Sequence, residues 1–269
     1  MGLVDRLSRL VVPMPSTARG KNGARAYAVG DVHGRLDLLE RMLAMIEGDV
    51  ASRAKKRTFA VFLGDLIDRG PDSAGVIERL RTWRPDGIRP VFLTGNHEEV
   101  MLRVLAGEEG ILPHWLKFGG SECLASYGLN PSGLRQVNER TALERVRAGV
   151  PPSHQNFLES FGDTFRFGDY LLVHAGIRPG VAIEDQHVKD LRWIREPFLS
   201  DGKEHGFVVV HGHTVCDSVE ERENRIGIDT GAYVSGDLTA LSIEDEERWY
   251  LSTARGPDPR TRILREKAF

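Results

Sequence analysis

The chain of 269 residues holds only two cysteines, Cys123 and Cys216. That is too few for a disulfide framework at this length, and they read as reduced thiols in a cytosolic protein. No stretch approaches transmembrane length. The N-terminal MGLVDRLSRLVVPMP is apolar only at helical spacing, with Asp5, Arg6 and Arg9 breaking it, so it lacks the uninterrupted core of a secretory signal. Charge of one sign is missing too: 36 Lys and Arg face 39 Asp and Glu, for a formal net charge of -3. Without a basic field, neither nucleic acid nor an anionic membrane is an expected partner. Internal repeats and low-complexity tracts are absent.

What is there is a recurring event. Hydrophobic residues are 41% of the chain, enough for a substantial core. AYAVGDVHG (26–34) is an apolar run that ends in Asp31 and His33, and a helical period follows through Leu36, Leu39, Met42, Leu43 and Ile46. TFAVFLGDLIDRG ends in Asp65 and leads to a helix at DSAGVIERLRTW. RPVFLTGNHE ends in Asn96 and His97, and EEVMLRVLAG continues as helix. Strand, polar turn and helix repeated three times predict a parallel sheet with right-handed crossovers. Later runs end in His174 (DYLLVHAG) and in His211 and His213 (GFVVVHGHT). From about 107 to 165 no strand pattern appears, which predicts a helical insert at the sheet edge. The segment RIGIDTGAYVSGDLTALSIEDEERWYLSTA alternates with turn signals, suggesting antiparallel strands that complete a second sheet. The expected organisation is an amphipathic segment and linker (1–24), one α/β domain (25–255) and a charged tail (256–269).

Five apolar strands therefore deliver Asp, Asn or His to one edge, each beside glycine. Turn chemistry explains one such ending but not five, and sites in open α/β sheets form beyond the carboxyl ends of strands. Carboxylate, amide oxygen and imidazole without thiolate suit divalent ions of the Mn, Fe or Zn type. The array is too rich for a single structural zinc. Two ions sharing a carboxylate can generate a nucleophile from water near neutral pH and clamp the oxygens of an in-line displacement at phosphorus.

GDVHG (30–34), GDLIDRG (64–70) and GNHE (95–98), with VHAG (173–176) and HGHT (211–214), resemble the calcineurin-like metallophosphoesterases. Within them they resemble the phosphoprotein phosphatases, in particular bacterial and phage members, a group that also includes symmetrical diadenosine tetraphosphate hydrolases. The resemblance spans roughly 26–240. It implies a central β-sandwich of two mixed sheets flanked by helices and a centre of two divalent ions, manganese first, with Fe, Zn or Co as substitutes. By position, Asp31 and His33 hold the first ion, Asp65 bridges, and Asn96, His174 and His213 complete the second. His97 is the implied general acid, Asp68 its partner, and Arg69 a phosphate ligand, since a guanidinium fork matches phosphoryl oxygens. Asn96 and His97 also face the phosphate. LRWIREPF offers Arg192 and Arg195 as a second arginine, and W-x-R spacing favours Arg195.

The chain departs from the broader group at Val215, where GHxH would supply another histidine. His211 shares a face with His213 in extended backbone and is expected to pack behind the site rather than ligate. His114, His154, His187 and His205 read as packing or surface histidines. Trp115 and Phe118–Gly120 are either a substrate-facing loop or a glycine-capped helix end. Asp229 reads as a strand-terminating turn, and Cys123 and Cys216 lack a base at motif spacing. The metal set, the acid and the arginine are all present, which points to an enzyme rather than a degenerate binding module. The expected substrate is a phosphorylated protein or small phosphoester, with diadenosine tetraphosphate as the alternative.

Overall fold

The computed structural model describes residues 18–254; most of the expected N-terminal segment and all of the expected tail lie outside the described residues. The first half runs β1 (Ala24–Val29), α1 (Leu36–Ala51), β2 (Arg57–Phe62), α2 (Ser73–Thr82), β3 (Ile88–Phe92) and α3 (Asn96–Leu105). Strands β1, β2 and β3 pair in parallel, as the strand–turn–helix repeat predicts. A helical insert follows: α4 (Leu112–Trp115), a π-type turn (Leu116–Gly120), α5 (Ser121–Ser126), α6 (Pro131–Leu134), α7 (Glu139–Gly149) and α8 (Pro152–Glu159). It packs on α2 and α3. The second half contributes β4 (Thr164–Phe167), β5 (Tyr170–Val173), α9 (Val188–Trp193), β6 (Val208–His211), β7 (Glu220–Glu221), β8 (Arg225–Gly227), α10 (Ala232–Ser235), β9 (Thr239–Glu244) and β10 (Glu247–Ser252).

Two five-stranded mixed sheets result, in the orders β10-β9-β1-β2-β3 and β4-β5-β6-β8-β7. The side-chain period of two explains how they face each other. On β1, Ala24, Ala26 and Ala28 meet Leu172, Val208, Val210 and Ile226 between the sheets, while Tyr27 and Val29 face the helices. Leu171, Val173 and Val209 of the second sheet turn outward onto Leu191, Ile194 and Phe198. The layers are helix, sheet, sheet, helix.

The strands after the last histidines divide differently from the sequence expectation. Only β8, with β7 antiparallel to it, lies in the second sheet. The hairpin β9–β10 pairs antiparallel with β1, Ala240 opposite Val29. Strand β2 occupies only one edge of β1, and the hairpin covers the other row of backbone donors and acceptors.

One buried anion ties the hairpin to the first helix. Asp49 of α1, 4% exposed, accepts Tyr27 Oη at 2.7 Å, Trp249 Nε1 at 3.1 Å and Arg53 Nε at 2.9 Å. Removing it strands three donors, two of them buried, at about 1–3 kcal/mol for each unsatisfied buried group. Asp49→Ala should therefore lose at least about 2 kcal/mol of stability in urea unfolding. A loss below about 0.5 kcal/mol, the size of a neutral surface change, would contradict the assignment.

Candidate metal centre

Each expected site residue except Arg195, which follows α9, lies just beyond the C-terminal end of a strand: Asp31 and His33 after β1, Asp65 to Arg69 after β2, Asn96 and His97 after β3, His174 after β5, and His213 after β6. The turns that carry them are strained. Six non-glycine residues among those described have left-handed backbone, and five are His33, Asp65, Asp68, Arg69 and His213. Such conformations cost of order 1 kcal/mol or more each and persist where neighbours over-determine them. Glu98 supplies much of that constraint. Fully buried, it accepts the backbone amides of Asp65 (2.8 Å), Leu66 (2.8 Å) and Gly95 (2.9 Å). Glycine is required at 95, where a Cβ would lie 2.2 Å from Asp65 Oδ1.

Two groups of three ligand atoms, each within 4.8 Å of one another, share Asp65: His33, Asp65 and His97, and Asp65, His174 and His213. Hydrogen bonds define which lone pairs face inward. His33 Nδ1 donates to Ile67 O at 2.8 Å and His174 Nδ1 to Leu63 O at 2.9 Å. Their Nε2 atoms are then bare. That of His33 faces Asp65 Oδ2 at 3.7 Å; that of His174 faces Asp65 Oδ1 at 3.4 Å and Asn96 Oδ1 at 3.0 Å. Burial holds the pKa of His33 down at about 3 and lowers that of His174, so both rings are neutral. Burial likewise takes His213 to about 3. Burial opposes the Asp65 charge, yet the surrounding imidazoles, of which His97 is the charged one, keep its pKa below the usual carboxylate range. Lone pair thus faces lone pair around an ionised carboxylate. Divalent cations fit this donor set and remove the repulsion.

Asp31 lies outside both groups of three. Its oxygens accept the His213 amide at 3.1 and 3.3 Å. Burial, then Asp229 and Asp65, push its pKa well up. Asp229 is therefore more than the end of a strand: it is a buried carboxylate beside Asp31 whose Oδ1 accepts the Gly231 amide at 3.0 Å. Three buried carboxylates converge here, which again calls for positive charge.

His97 is distinguished by its partner. Its Nδ1 donates to Asp68 Oδ2 at 2.6 Å, and that oxygen also accepts Trp115 Nε1 at 2.7 Å. Burial opposes the charged ring, but Asp65 and Asp68 outweigh it and raise the pKa to about 9. Arg69 Nη2 lies 3.3 Å from His97 Nε2. Of the two candidate second arginines, Arg192 is tied to Asp163 (2.7 Å) and Glu99 (3.3 Å). Arg195 instead donates to His213 O at 3.4 Å, beside the centre. His211 is buried against Phe198, ring centroids 5.1 Å apart, and belongs to neither group.

The sequence model of the calcineurin-like phosphoesterases matches residues 24–240. The chain belongs to this family. Among similar proteins are the asymmetrical bis(5'-nucleosyl)-tetraphosphatase of Anoxybacillus flavithermus, 29% identical over 81% of this chain and 90% of its own, and serine/threonine-protein phosphatase 1 of Salmonella typhimurium, 28% identical over 83% and 94%. A solved structure provisionally described as a diadenosine tetraphosphatase superposes with a TM-score of 0.60 at 20% identity, covering 89% of this chain and all of the other. At that identity the likeness concerns the fold. The family implies divalent metal ions and phosphoester hydrolysis, and the residues above are a donor set for them.

Three residues of this phosphoesterase centre escape a reading of the motifs. Trp115 reaches Asp68 from the insert, a contact that no local pattern encodes. Tyr233 places its ring 4.6 Å from the Arg69 guanidinium. Glu98 sits in GNHE and could have been noticed as an acid too regular for a surface helix. Its role generates a test. Glu98→Gln would turn an amide N–H toward backbone N–H groups, an unsatisfied arrangement costing about 1–3 kcal/mol. Desalted Glu98→Gln protein should melt earlier and retain less metal than the parent; unchanged melting and metal content would contradict the clamp.

Proposed function

We propose that the chain is a phosphomonoesterase with a dinuclear centre, acting on phosphorylated serine or threonine. The observation that carries this reading is Asp65, shared between two groups of ligand atoms, together with His97, whose Nδ1 is taken up by Asp68 at 2.6 Å and so sets it apart from the other histidines. His33 and Asp31 would hold one ion, Asn96, His174 and His213 the other, and Asp65 both; manganese suits these ligands, and Fe, Zn or Co would also bind. When bound, the ions supply charge to the phosphoryl oxygens and activate the attacking water. The chain does the rest. Arg69 and Arg195 orient the phosphate by guanidinium hydrogen bonds. Asp68 takes the Nδ1 proton of His97 as a hydrogen bond, so the ring presents its Nε2 proton to the departing ester oxygen.

The dinucleotide reading is supported by relatives named as tetraphosphatases, including the symmetrical enzyme of Legionella pneumophila, 27% identical over 83% of this chain and 95% of its own. A phosphopeptide is favoured by the cations available. A tetraphosphate chain calls for several positive groups around it. In the insert, Arg135 donates to Leu116 O and Ser121 Oγ and Arg147 to Leu105 O, while Lys117, Arg140 and Arg145 are dispersed over the π-type turn and α7.

Two measurements on one preparation test the reading. His97→Ala should lower kcat on a phosphoserine peptide by about 10²–10⁴, the worth of a positioned proton donor. The loss should be smaller on an aryl phosphate, whose leaving group needs no proton; equal losses would contradict the role of His97. The parent enzyme should show a higher kcat/KM on phosphoserine or phosphothreonine peptides than on diadenosine tetraphosphate, and the reverse order would install the dinucleotide reading.

A further inference from the structure

Among the described residues only four large apolar side chains are exposed: Phe118, Val188, Val215 and Val234. Three of them border the centre on its Arg69 side. Phe118, 63% exposed, precedes Gly119, whose carbonyl accepts the Arg69 amide at 3.2 Å. Contact there is so close that a Cβ at Gly119 would lie 2.7 Å from Arg69 Cγ. Val234, 77% exposed, follows Tyr233, whose ring lies 4.6 Å from the Arg69 guanidinium and edge-on to His33 at 5.3 Å. Val215, 51% exposed, lies two residues past His213 and reaches the start of α10, its Cγ1 2.9 Å from where a Gly231 Cβ would stand. The segments that carry these side chains thus border the centre in an arc, from Phe118, whose ring stacks on His114, past Arg69 and Tyr233 to Val234 and Val215.

Single exposed apolar side chains are ordinary. Here three separate segments bring nearly all of the exposed large ones to the rim of a metal centre, the pattern of a binding surface. We infer that this arc selects the substrate: it receives an apolar or aromatic residue within two positions of the phosphorylated side chain of a peptide. The inference rests on the phosphomonoesterase reading above. With its guanidinium against Tyr233, Arg69 sits between the phosphate and the arc, so chain leaving the ester on this side passes over hydrocarbon. Of the cations on this side, Arg35 donates to Ala232 O at 2.9 Å but is paired with Asp37 at 2.8 Å, and Arg69 lies against Tyr233. Arg135 and Arg147 are engaged within the insert, Arg140 and Arg145 stand on α7, and Lys117 is the cation adjacent to Phe118 in the chain. An apolar peptide side chain gains by covering Phe118, Val234 and Val215.

The test is a panel of phosphoserine peptides carrying Phe or Glu at each of the two positions on either side of the phosphoserine, with N-acetyl-phosphoserine amide as the ester without flanks. At one or more positions Phe should exceed Glu in kcat/KM by about tenfold, the low end for an apolar contact on an enzyme surface. That ratio should fall toward one in Phe118→Ser and Val234→Ser, whose exposed positions put folding at little risk. A ratio near one at every position, or a ratio that both variants keep, would overturn the arc. So would a loss in Phe118→Ser confined to diadenosine tetraphosphate, which would assign the arc to a nucleobase. Turnover of the unflanked ester with a flat panel removes the arc alone; turnover of none of these phosphoserine esters removes the phosphomonoesterase reading and the arc with it.

Discussion

Everything in this chain is arranged around a buried carboxylate that has no proton to share. Asp65 is 2% exposed, and bare imidazole nitrogens face both of its oxygens. Burying an ionised group costs several kcal/mol; the His97 amide at 3.0 Å and the His97 ring at 3.8 Å offset part of that for Asp65, and Asp31 and Asp229 add two more carboxylates to the same region. Side-chain packing alone would never gather these groups. The sheets do so by ending their strands in one place, and Glu98 holds the Asp65 turn by three backbone hydrogen bonds. The left-handed residues at His33, Asp65, Asp68, Arg69 and His213 are strain concentrated where donor atoms must converge. Divalent cations turn that electrostatic conflict into coordination.

Around this charge the two sheets divide the labour. The first, parallel from β1 to β3, brings the residues of both GD motifs, Asn96 and His97. The second brings His174 and His213 from parallel β5 and β6. Small Ala24, Ala26 and Ala28 on β1 face large aliphatic and aromatic groups across the interface, so close packing between the sheets transmits to the spacing of the donors. The insert reaches this region too: Trp115 donates to the Asp68 oxygen that also holds His97.

That division explains what the sequence makes legible. Strand ends with Asp, His or Asn beside glycine are local events, and the motifs order them, so the parallel core and the placement of Asp31, His33, Asp65, Asn96, His97, His174 and His213 at one edge could be read directly. Contacts made by folding could not. The β9–β10 hairpin is visible as a hairpin, but which sheet it joins depends on the free edge of β1, a long-range fact. Trp115 looks like the end of a short helix until the insert folds back on Asp68. Asp229 looks like a turn until β8 sets it beside Asp31. Arg192 and Arg195 are three residues apart, and only the positions of Asp163, Glu99 and the His213 carbonyl distinguish them.

The central claim is that Asp65 is the shared ligand of two ions. Metal stoichiometry of the parent and of Asp65→Asn, by elemental analysis after loading with manganese and gel filtration, tests it most directly. The account predicts two ions per chain in the parent and loss of both from Asp65→Asn, which keeps the shape but removes the bridging charge. Two ions retained by Asp65→Asn would contradict it.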